Sequence, residues 1–245
     1  MITNSSWPRG ANAPEDRHVL QIFPQNLHFP QLPDTPEAIE DFAWRFLTAE
    51  RRECFTSRRG GYSSKKSLRE LKDKKGQIVE VLFNRMPAPT ILICGHMSRD
   101  TRCGILGPIL KAEFVNQIRK TLEDSTDHHF KVEEQAPLHP LRYTSTSLCS
   151  HVGGHAFAGN VIIYFPVDFR LVLGEGLSPL AGKSVWYGRV APCHVNGIVN
   201  ETMMGGKVID ELLRGVNAFP GFRPLKRRGK QDIEHGRGKY FVERP

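Results

Sequence analysis

Two short segments of the chain carry residues that could bind a transition metal. The first runs from Cys94 to Cys103, with eight residues between the two thiols, and the second places His151 and His155 four residues apart. Thiolates and neutral imidazoles are the ligands that zinc and iron–sulfur centres take in proteins. Each spacing is weak evidence alone, so redox thiols and purely structural roles stay open beside a metal centre.

The elements predicted around these residues would bring them to one place. A short apolar run at 90–94, bounded by Pro89 and Gly95, predicts a buried strand that ends at Cys94. Apolar residues at helical spacing over 105–122 predict a helix with Cys103 at or near its start, where free N–H groups favour a thiolate. A short helix over 150–158 would put both histidines on one face.

The order of predicted elements indicates the fold. Strands are predicted at 90–94, 130–134, 160–165 and 183–190, and helices at 105–122, 150–158 and 195–213, the last ended by Gly215. This order matches a thioredoxin-like α/β domain, in which loops after the strand ends share one edge of the sheet. Pro108 fits such a helix only if it lies in the first turn. We expect the domain to occupy residues 77–216.

The flanking regions are predicted to be simpler. Residues 1–34 are rich in proline and predict an extended arm, and a helix begins at Thr35 and Pro36, a capping residue followed by proline. Residues 51–76 predict a basic loop, so that 1–76 forms an arm, a helix and a loop ahead of the strand at 78–83. Residues 217–245 predict a basic tail.

Charge and cysteine count narrow the function classes. The net charge is +8, with basic clusters at 51–75 and 226–239, but no nucleic-acid-binding motif accompanies them, so no nucleic acid is expected as a partner. Five cysteines without a secretory signal favour a reducing compartment over a disulfide scaffold. No apolar run of the length of a membrane span, about 18 residues, is present, so none is expected.

Three sequence blocks resemble the sucrase/ferredoxin-like family. They are ICGHMSRDTRCGILGP from Ile93, HVGGHAFAGNVIIY from His151 and WYGRVAP from Trp186, in the family's order and with similar gaps. The resemblance implies a thioredoxin-like ferredoxin domain with a [2Fe-2S] cluster, held by thiolates of Cys94 and Cys103 and imidazoles of His151 and His155. Family members carry a region with a mitochondrial presequence ahead of a Thr-Asn-Ser-Ser segment, with which this chain opens, so a mitochondrial location is expected, with the cytoplasm as alternative.

The function expected from this resemblance is electron transfer rather than catalysis by a dedicated enzyme, in mitochondrial redox or thiol homeostasis. Redox donor and acceptor proteins, not identified by the sequence, would be the partners. Imidazole ligands would couple electron and proton uptake, so the potential would fall as pH rises. Three alternatives stay open: a metal-free thiol oxidoreductase, a structural Cys2His2 zinc domain, and a basic binding module.

Several further residues are weaker candidates. His96 could contact the site or replace a ligand, and Cys149, two residues before His151, could compete as a ligand. Cys193 and His194 favour structural roles, whereas Cys54 and the pair His128-His129 are predicted to be ordinary exposed residues. Positive charges at Arg99, Arg102 and Arg189 could tune a potential or bind an acidic partner.

Overall fold

A computed structural model describes the chain over residues 17–23, 27–47, 67–72, 78–86, 88–127, 139–153, 155–171 and 176–218. The chain divides into two compact units, one of residues Pro8–Pro87 and the other of Ala88–Pro245 with Met1–Trp7. The second unit therefore begins at residue 88, not at the expected residue 77, because the strand over 78–85 pairs within the first unit.

The first unit is built on a four-stranded antiparallel sheet. Its elements are β1 (Arg17–Ile22), β2 (Leu27–Pro33), helix α1 (Pro36–Leu47), β3 (Ser67–Lys72) and β4 (Ile78–Arg85), with sheet order β1-β2-β4-β3. The extended arm predicted for 1–34 is thus wrong over 17–33, which pairs as a hairpin. Likewise β3 lies inside the segment predicted to be a basic loop.

Helix α1 begins where the sequence predicts. The hydroxyl of Thr35 accepts a hydrogen bond from the backbone N–H of Ala38 at 3.3 Å, and Pro36 occupies the first helical position. One side of the helix packs on the sheet, because the ring of Phe42 meets that of Phe29 edge-on, with centroids 5.2 Å apart. Phe29 and Leu27 form the buried centre of this unit.

The second unit contains a five-stranded mixed sheet. Its elements are β5 (Thr90–Cys94), α2 (Thr101–Asp127), β6 (Ser145–Cys149), β7 (Val161–Tyr164), β8 (Lys183–Tyr187), α3 (Pro192–Gly197) and β9 (Leu213–Ala218). The order is β6-β5-β7-β8-β9, with β5 and β6 parallel and the other pairs antiparallel. The strands β5 to β8, with α2 and α3, have the order and directions of the thioredoxin fold, which confirms the predicted α/β class.

The hydrophobic core lies between the helices and the middle strands. Strands β5 and β7 are buried at every position, as expected for strands covered on both faces. Leu110 and Phe114 of α2 pack against this sheet together with Val195 of α3. This packing fixes the carboxyl ends of β5 and β6 relative to the first turn of α2.

The end of the chain differs from the prediction. The helix expected over 195–213 is α3 followed by a π-helical segment, Ile198–Met204, which stops at Gly205 and at Gly206, a residue with φ +68°. A short turn of 3₁₀ helix, Asp210–Leu212, then leads into β9, a strand not predicted.

Helix α2 also starts earlier than its apolar pattern indicates, so Pro108 lies in its interior and not in its first turn. The predicted strand at 130–134, and the part of the predicted basic tail after 218, fall outside the described residues. Among the helices that the structure describes, none combines the length and the apolar character needed to cross a bilayer.

Candidate metal centre

Two of the cysteines end neighbouring parallel strands. Cys94 closes β5, Cys149 closes β6, and the two residues are paired in the sheet register. The backbone N–H of Gly95 donates to the carbonyl of Cys149 at 3.0 Å, and both side chains are buried. Strand β5 was predicted, whereas β6 is a strand that the sequence analysis did not predict, and the loops after both strands lie at one edge of the sheet.

Cys103 joins them from the first turn of α2, of which it is the third residue. Its thiol is buried and lies close enough to that of Cys94 for the second thiol to raise its pKa. The close approach of helix and strand depends on Gly107, since a Cβ atom there would lie 2.8 Å from the carbonyl oxygen of Cys94. The thiol lies at the positive end of the α2 dipole, where the backbone N–H groups of Arg102 and Gly104 already donate to the side chain and the carbonyl of Asp100.

The three thiols lie close enough to influence one another. The pKa of Cys103 is raised to about 11, first by burial and then by the neighbouring thiol of Cys94, whereas the backbone of Gly159 acts in the opposite sense. Burial raises the pKa of Cys149 to about 12, with smaller effects from Cys94 and Cys103. Without a bound cation, these two side chains are neutral thiols near pH 7.

His151 enters the same site from the loop after β6. Its Nδ1 lies 3.8 Å from Sγ of Cys94, although the two residues are 57 positions apart in the chain. His155 begins a single 3₁₀ turn, His155–Phe157, and its side chain falls outside the described set. The structure thus brings Cys94, Cys103 and His151 together and places the backbone of His155 in the adjoining loop.

The helix predicted over 150–158 is wrong. Residues 151–153 are irregular, because Gly153 adopts φ +147°, a conformation that interrupts any helix and that side-chain-bearing residues rarely take. The two histidines therefore do not project from one helix face. The loop that carries them, residues 151–160, is called the histidine-bearing loop below.

The end of the histidine-bearing loop is tied to both cysteines. The carbonyl of Asn160 accepts the backbone N–H of Cys94 at 3.0 Å, and Gly159 contacts Cys103 through its backbone. The side-chain Nδ2 of Asn160 is buried and has no hydrogen-bond partner within the described residues. A buried donor without a partner is costly, and an acceptor such as a bound sulfide would satisfy it.

Arg214 of β9 is a site residue that sequence reasoning missed. Its Nη1 donates to Oδ1 of Asn160 at 2.5 Å, and its guanidinium lies 4.2 Å from the ring centroid of Phe157. A Cβ atom on Gly153 would collide with the same guanidinium. The helix predicted over 195–213 ends next to Arg214, so the sequence does not indicate the strand that carries this residue.

The remaining candidates divide between structural and open roles. His194 has a structural role, since its Nδ1 accepts the backbone N–H of Ala191 at the start of α3, and Cys193 beside it is exposed. Nδ1 of His96 is buried without a partner in the described part of the chain, so a role near the site stays open. Arg189 is exposed and lies over the ring of Phe157 at 5.2 Å. Cys54 and the pair His128-His129 fall outside the described residues.

The donor set fits an iron–sulfur cluster. Two buried thiols and a partly buried imidazole lie close together, beside an amide donor without a partner in the described residues and a half-buried cation. Across the described ranges, no three ligating side chains converge on the point that a single ion would occupy. In a [2Fe-2S] cluster the four protein ligands need not surround one point, because each of the two irons takes two of them.

Comparisons with known proteins identify a family and several relatives of the chain. The sequence matches the sucrase/ferredoxin-like family over residues 1–215. Proteins named altered inheritance of mitochondria protein 32 are 44% identical over 125 residues in Debaryomyces hansenii, covering 51% of this chain and 34% of that protein, and 40% identical over 136 residues in Clavispora lusitaniae, covering 55% and 38%. The matched part thus spans little more than a third of these relatives.

Among solved structures, a thioredoxin-like [2Fe-2S] ferredoxin from Aquifex aeolicus is similar with a TM-score of 0.31 and 16% identity, over 56% of this chain and 98% of the ferredoxin. That likeness is too low to add to the fold assignment, which follows from the strand order and directions of the second unit.

Proposed function

Because the chain belongs to the sucrase/ferredoxin-like family, we propose that it is a one-electron carrier with a [2Fe-2S] cluster on Cys94, Cys103, His151 and His155. The family match confirms the resemblance predicted from the three sequence blocks. The observation that carries the proposal is the approach of His151 Nδ1 to within 3.8 Å of Cys94 Sγ, with the buried thiol of Cys103 close enough to that of Cys94 to interact with it.

A [2Fe-2S] cluster with two imidazole ligands supplies reversible one-electron transfer at a higher potential than one held by four thiolates. The protein's part is to make thiolates out of buried thiols whose pKa is otherwise raised, and the first backbone N–H groups of α2 and the backbone of Gly159 favour that charge. Burial of Cys94 and Cys103 keeps bulk water away from both sulfur atoms.

One of the proposed ligands, His151, also carries a ring atom that can bind a proton. Nδ1 is the ring atom of His151 that faces Cys94, so Nε2 is the atom left to hold or release a proton. Added negative charge at the site favours proton binding there, so we propose that the reduction potential falls as pH rises. A potential that stays constant between about pH 6 and 9 would contradict this coupling.

The thiol oxidoreductase alternative meets an obstacle in the structure. A reactive cysteine needs a lowered pKa and access to its substrate, whereas Cys103 is buried and its pKa is raised to about 11. A structural zinc domain would use the same donors, and the metal content of the purified protein distinguishes it from the cluster.

The test is the visible spectrum of protein purified without oxygen, with iron and acid-labile sulfide measured on the same sample. About two irons and two sulfides per chain are expected. Cys94→Ser, Cys103→Ser, His151→Ala and His155→Ala should each lose or alter the cluster, while the matched controls Cys149→Ser and Cys193→Ser should keep it. About one zinc per chain and no colour would overturn the electron-transfer proposal.

We also propose a cellular location and a class of partner protein. Relatives named for altered inheritance of mitochondria support a mitochondrial location. A role in redox or thiol homeostasis, with redox proteins as donor and acceptor, follows from the proposed electron transfer. The exposed Arg99 and Arg189, on loops next to Cys94 and Gly159, would favour an acidic partner. Fractionation of cells that express the full-length protein tests the location, and a cytosolic protein would contradict it.

A further inference from the structure

Arg214 lies at an irregularity in the pairing of two strands. Between β8 and β9 the register shifts, since Trp186 pairs with Gly215 and Tyr187 with Leu213, which leaves Arg214 as the extra residue of a β-bulge. Bulges redirect a side chain and are frequent next to functional sites. Here the bulge turns Arg214 toward the histidine-bearing loop.

Two glycines and an aromatic ring surround the side chain. A Cβ atom on Gly188 would lie 2.7 Å from Cδ of Arg214, and one on Gly153 would collide with its guanidinium. The ring of Phe157 lies beneath the guanidinium at 4.2 Å, within the range of a cation–π contact. A larger residue at Gly153 or Gly188 would displace the guanidinium, so the placement of the Arg214 side chain depends on glycine at both positions.

The cation has no carboxylate partner within the described residues. The side chain is half-buried, and burial lowers the pKa of Arg214, although a guanidinium remains charged near neutral pH. Its hydrogen bond goes to the neutral amide of Asn160, whose backbone carbonyl accepts the N–H of Cys94. A half-buried cation without a fixed anion is stabilised by negative charge that arrives nearby.

We propose that Arg214 is a positioning residue that fixes the histidine-bearing loop and supplies the positive charge that stabilises an added electron at the cysteine–histidine site. This inference rests on the proposed function and adds the residue that would raise the reduction potential. Arg214 holds the histidine-bearing loop through its contacts with Asn160 and Phe157. Its positive charge acts on the cysteine–histidine site through space.

Arg214→Gln and Arg214→Lys separate the two parts. The glutamine variant loses the charge, so its cluster should have a lower midpoint potential than the wild type. Its amides over 151–160 should also exchange hydrogen about tenfold faster in the metal-free protein, as expected after loss of a charge-assisted hydrogen bond. The lysine variant keeps the charge but not the planar fork, so its potential should stay near that of the wild type while the loop amides exchange faster.

Arg189→Gln is the matched control, because Arg189 contacts the same ring of Phe157 but is exposed to solvent, where its charge is screened. It should leave the potential unchanged. Because Nε of Arg189 also donates to the carbonyl of Ala156 in the loop at 3.4 Å, the exchange comparison is made between the Arg214 variants and the wild type alone. Equal potential shifts in the Arg189 and Arg214 variants, or a wild-type potential and wild-type exchange in Arg214→Gln, would overturn the inference. A wild-type protein that takes up no cluster would instead overturn the proposed function, and exchange in the metal-free variants would still decide the loop-fixing part.

Discussion

Asp100 and Arg102 are joined by three hydrogen bonds at the start of α2. Oδ1 of Asp100 accepts from the backbone N–H of Arg102 at 3.0 Å and from its Nε at 3.1 Å, and Oδ2 accepts from Nη2 at 2.8 Å. The first of these bonds caps the helix, and the other two form an ion pair whose arginine side is 60% exposed. Cys103 follows directly, so this pair sets the position of a proposed ligand.

The cap should matter more than the ion pair. Asp100→Ala removes both and should lower the free energy of unfolding by about 1–2 kcal/mol, whereas Asp100→Asn keeps an acceptor at Oδ1 and should lose less. Urea unfolding of the two variants measures the difference. Equal losses in both would mean that the charge of Asp100, and not its capping bond, stabilises the helix start.

Gly107→Ala should loosen the contact between α2 and β5. The new methyl group would lie 2.8 Å from the carbonyl oxygen of Cys94 and 3.0 Å from Cα of Gly95, both backbone atoms that cannot move without shifting the strand. We expect a loss of about 1–3 kcal/mol in the free energy of unfolding.

Gly197→Ala is the matched control for this change, because a methyl group there meets only Cδ1 of Ile209, at 3.7 Å, in a helical backbone. It should be neutral or stabilise the protein by about 0.4–1 kcal/mol. If both variants unfolded alike, the tight approach at Gly107 would have no energetic consequence.

Tyr187→Phe removes a single oxygen atom but should clearly lower the free energy of unfolding. The buried hydroxyl of Tyr187 lies 2.6 Å from that of Thr202 and accepts the backbone N–H of Ile209 at 3.2 Å, so the variant leaves both groups without this partner. We expect a loss of about 1–3 kcal/mol by denaturant unfolding. Tyr143→Phe, at a side chain 54% exposed, should stay within about 0.5 kcal/mol of the wild type.

A double variant refines the Tyr187 prediction. Thr202→Val added to Tyr187→Phe should cost less than the sum of the two single changes, because the pair is removed together. Strict additivity would show that the two hydroxyls do not depend on each other.

His139 should make the protein sensitive to acid. Burial lowers the pKa of His139 below 6.5, and its Nδ1 accepts the backbone N–H of Leu141 at 3.2 Å, a bond that the protonated ring cannot accept. The folded state thus prefers the neutral ring. Its contribution to stability is complete above about pH 6.5 and is lost as pH falls through the lower folded pKa.

His139→Asn keeps an acceptor near the position of Nδ1 and does not titrate, so its melting temperature should fall less than that of the wild type between about pH 7 and 5. Burial lowers the pKa of His28 in the first unit as well, so the profile should flatten only in part. Parallel profiles for variant and wild type would contradict the assignment.

The sequence predicted the cysteine half of the site well because local rules govern it. The apolar run that ends at Cys94 and the helical repeat after Cys103 each specify an element. The parallel partner β6 was not predicted, because its sequence STSLC carries no apolar run. The helix over 150–158 failed because Gly153 adopts φ +147° at a point where the guanidinium of Arg214, from a distant segment, leaves no room for a side chain. Such a contact has no local pattern.

The end of the domain was mispredicted for a related reason. Apolar residues continue past Met204, so a helix could be extended to 213, and only Gly205 and Gly206 mark its stop. The bulge that directs Arg214 arises from the register between β8 and β9 and cannot be read from either strand alone. The first unit's hairpin was missed because its prolines favoured an extended arm.

The location of Arg214 on the last described strand bears on how the protein is made. A ribosome releases β5 and α2 first, so the thiols of Cys94 and Cys103 can meet while β9 is still unsynthesised. The contacts of Arg214 with the histidine-bearing loop join residues far apart in the chain, and such long-range closures form late in folding. The complete site therefore forms only after β9 has been synthesised, and a cofactor delivered earlier to the nascent chain would meet thiols before the histidine-bearing loop is held in place.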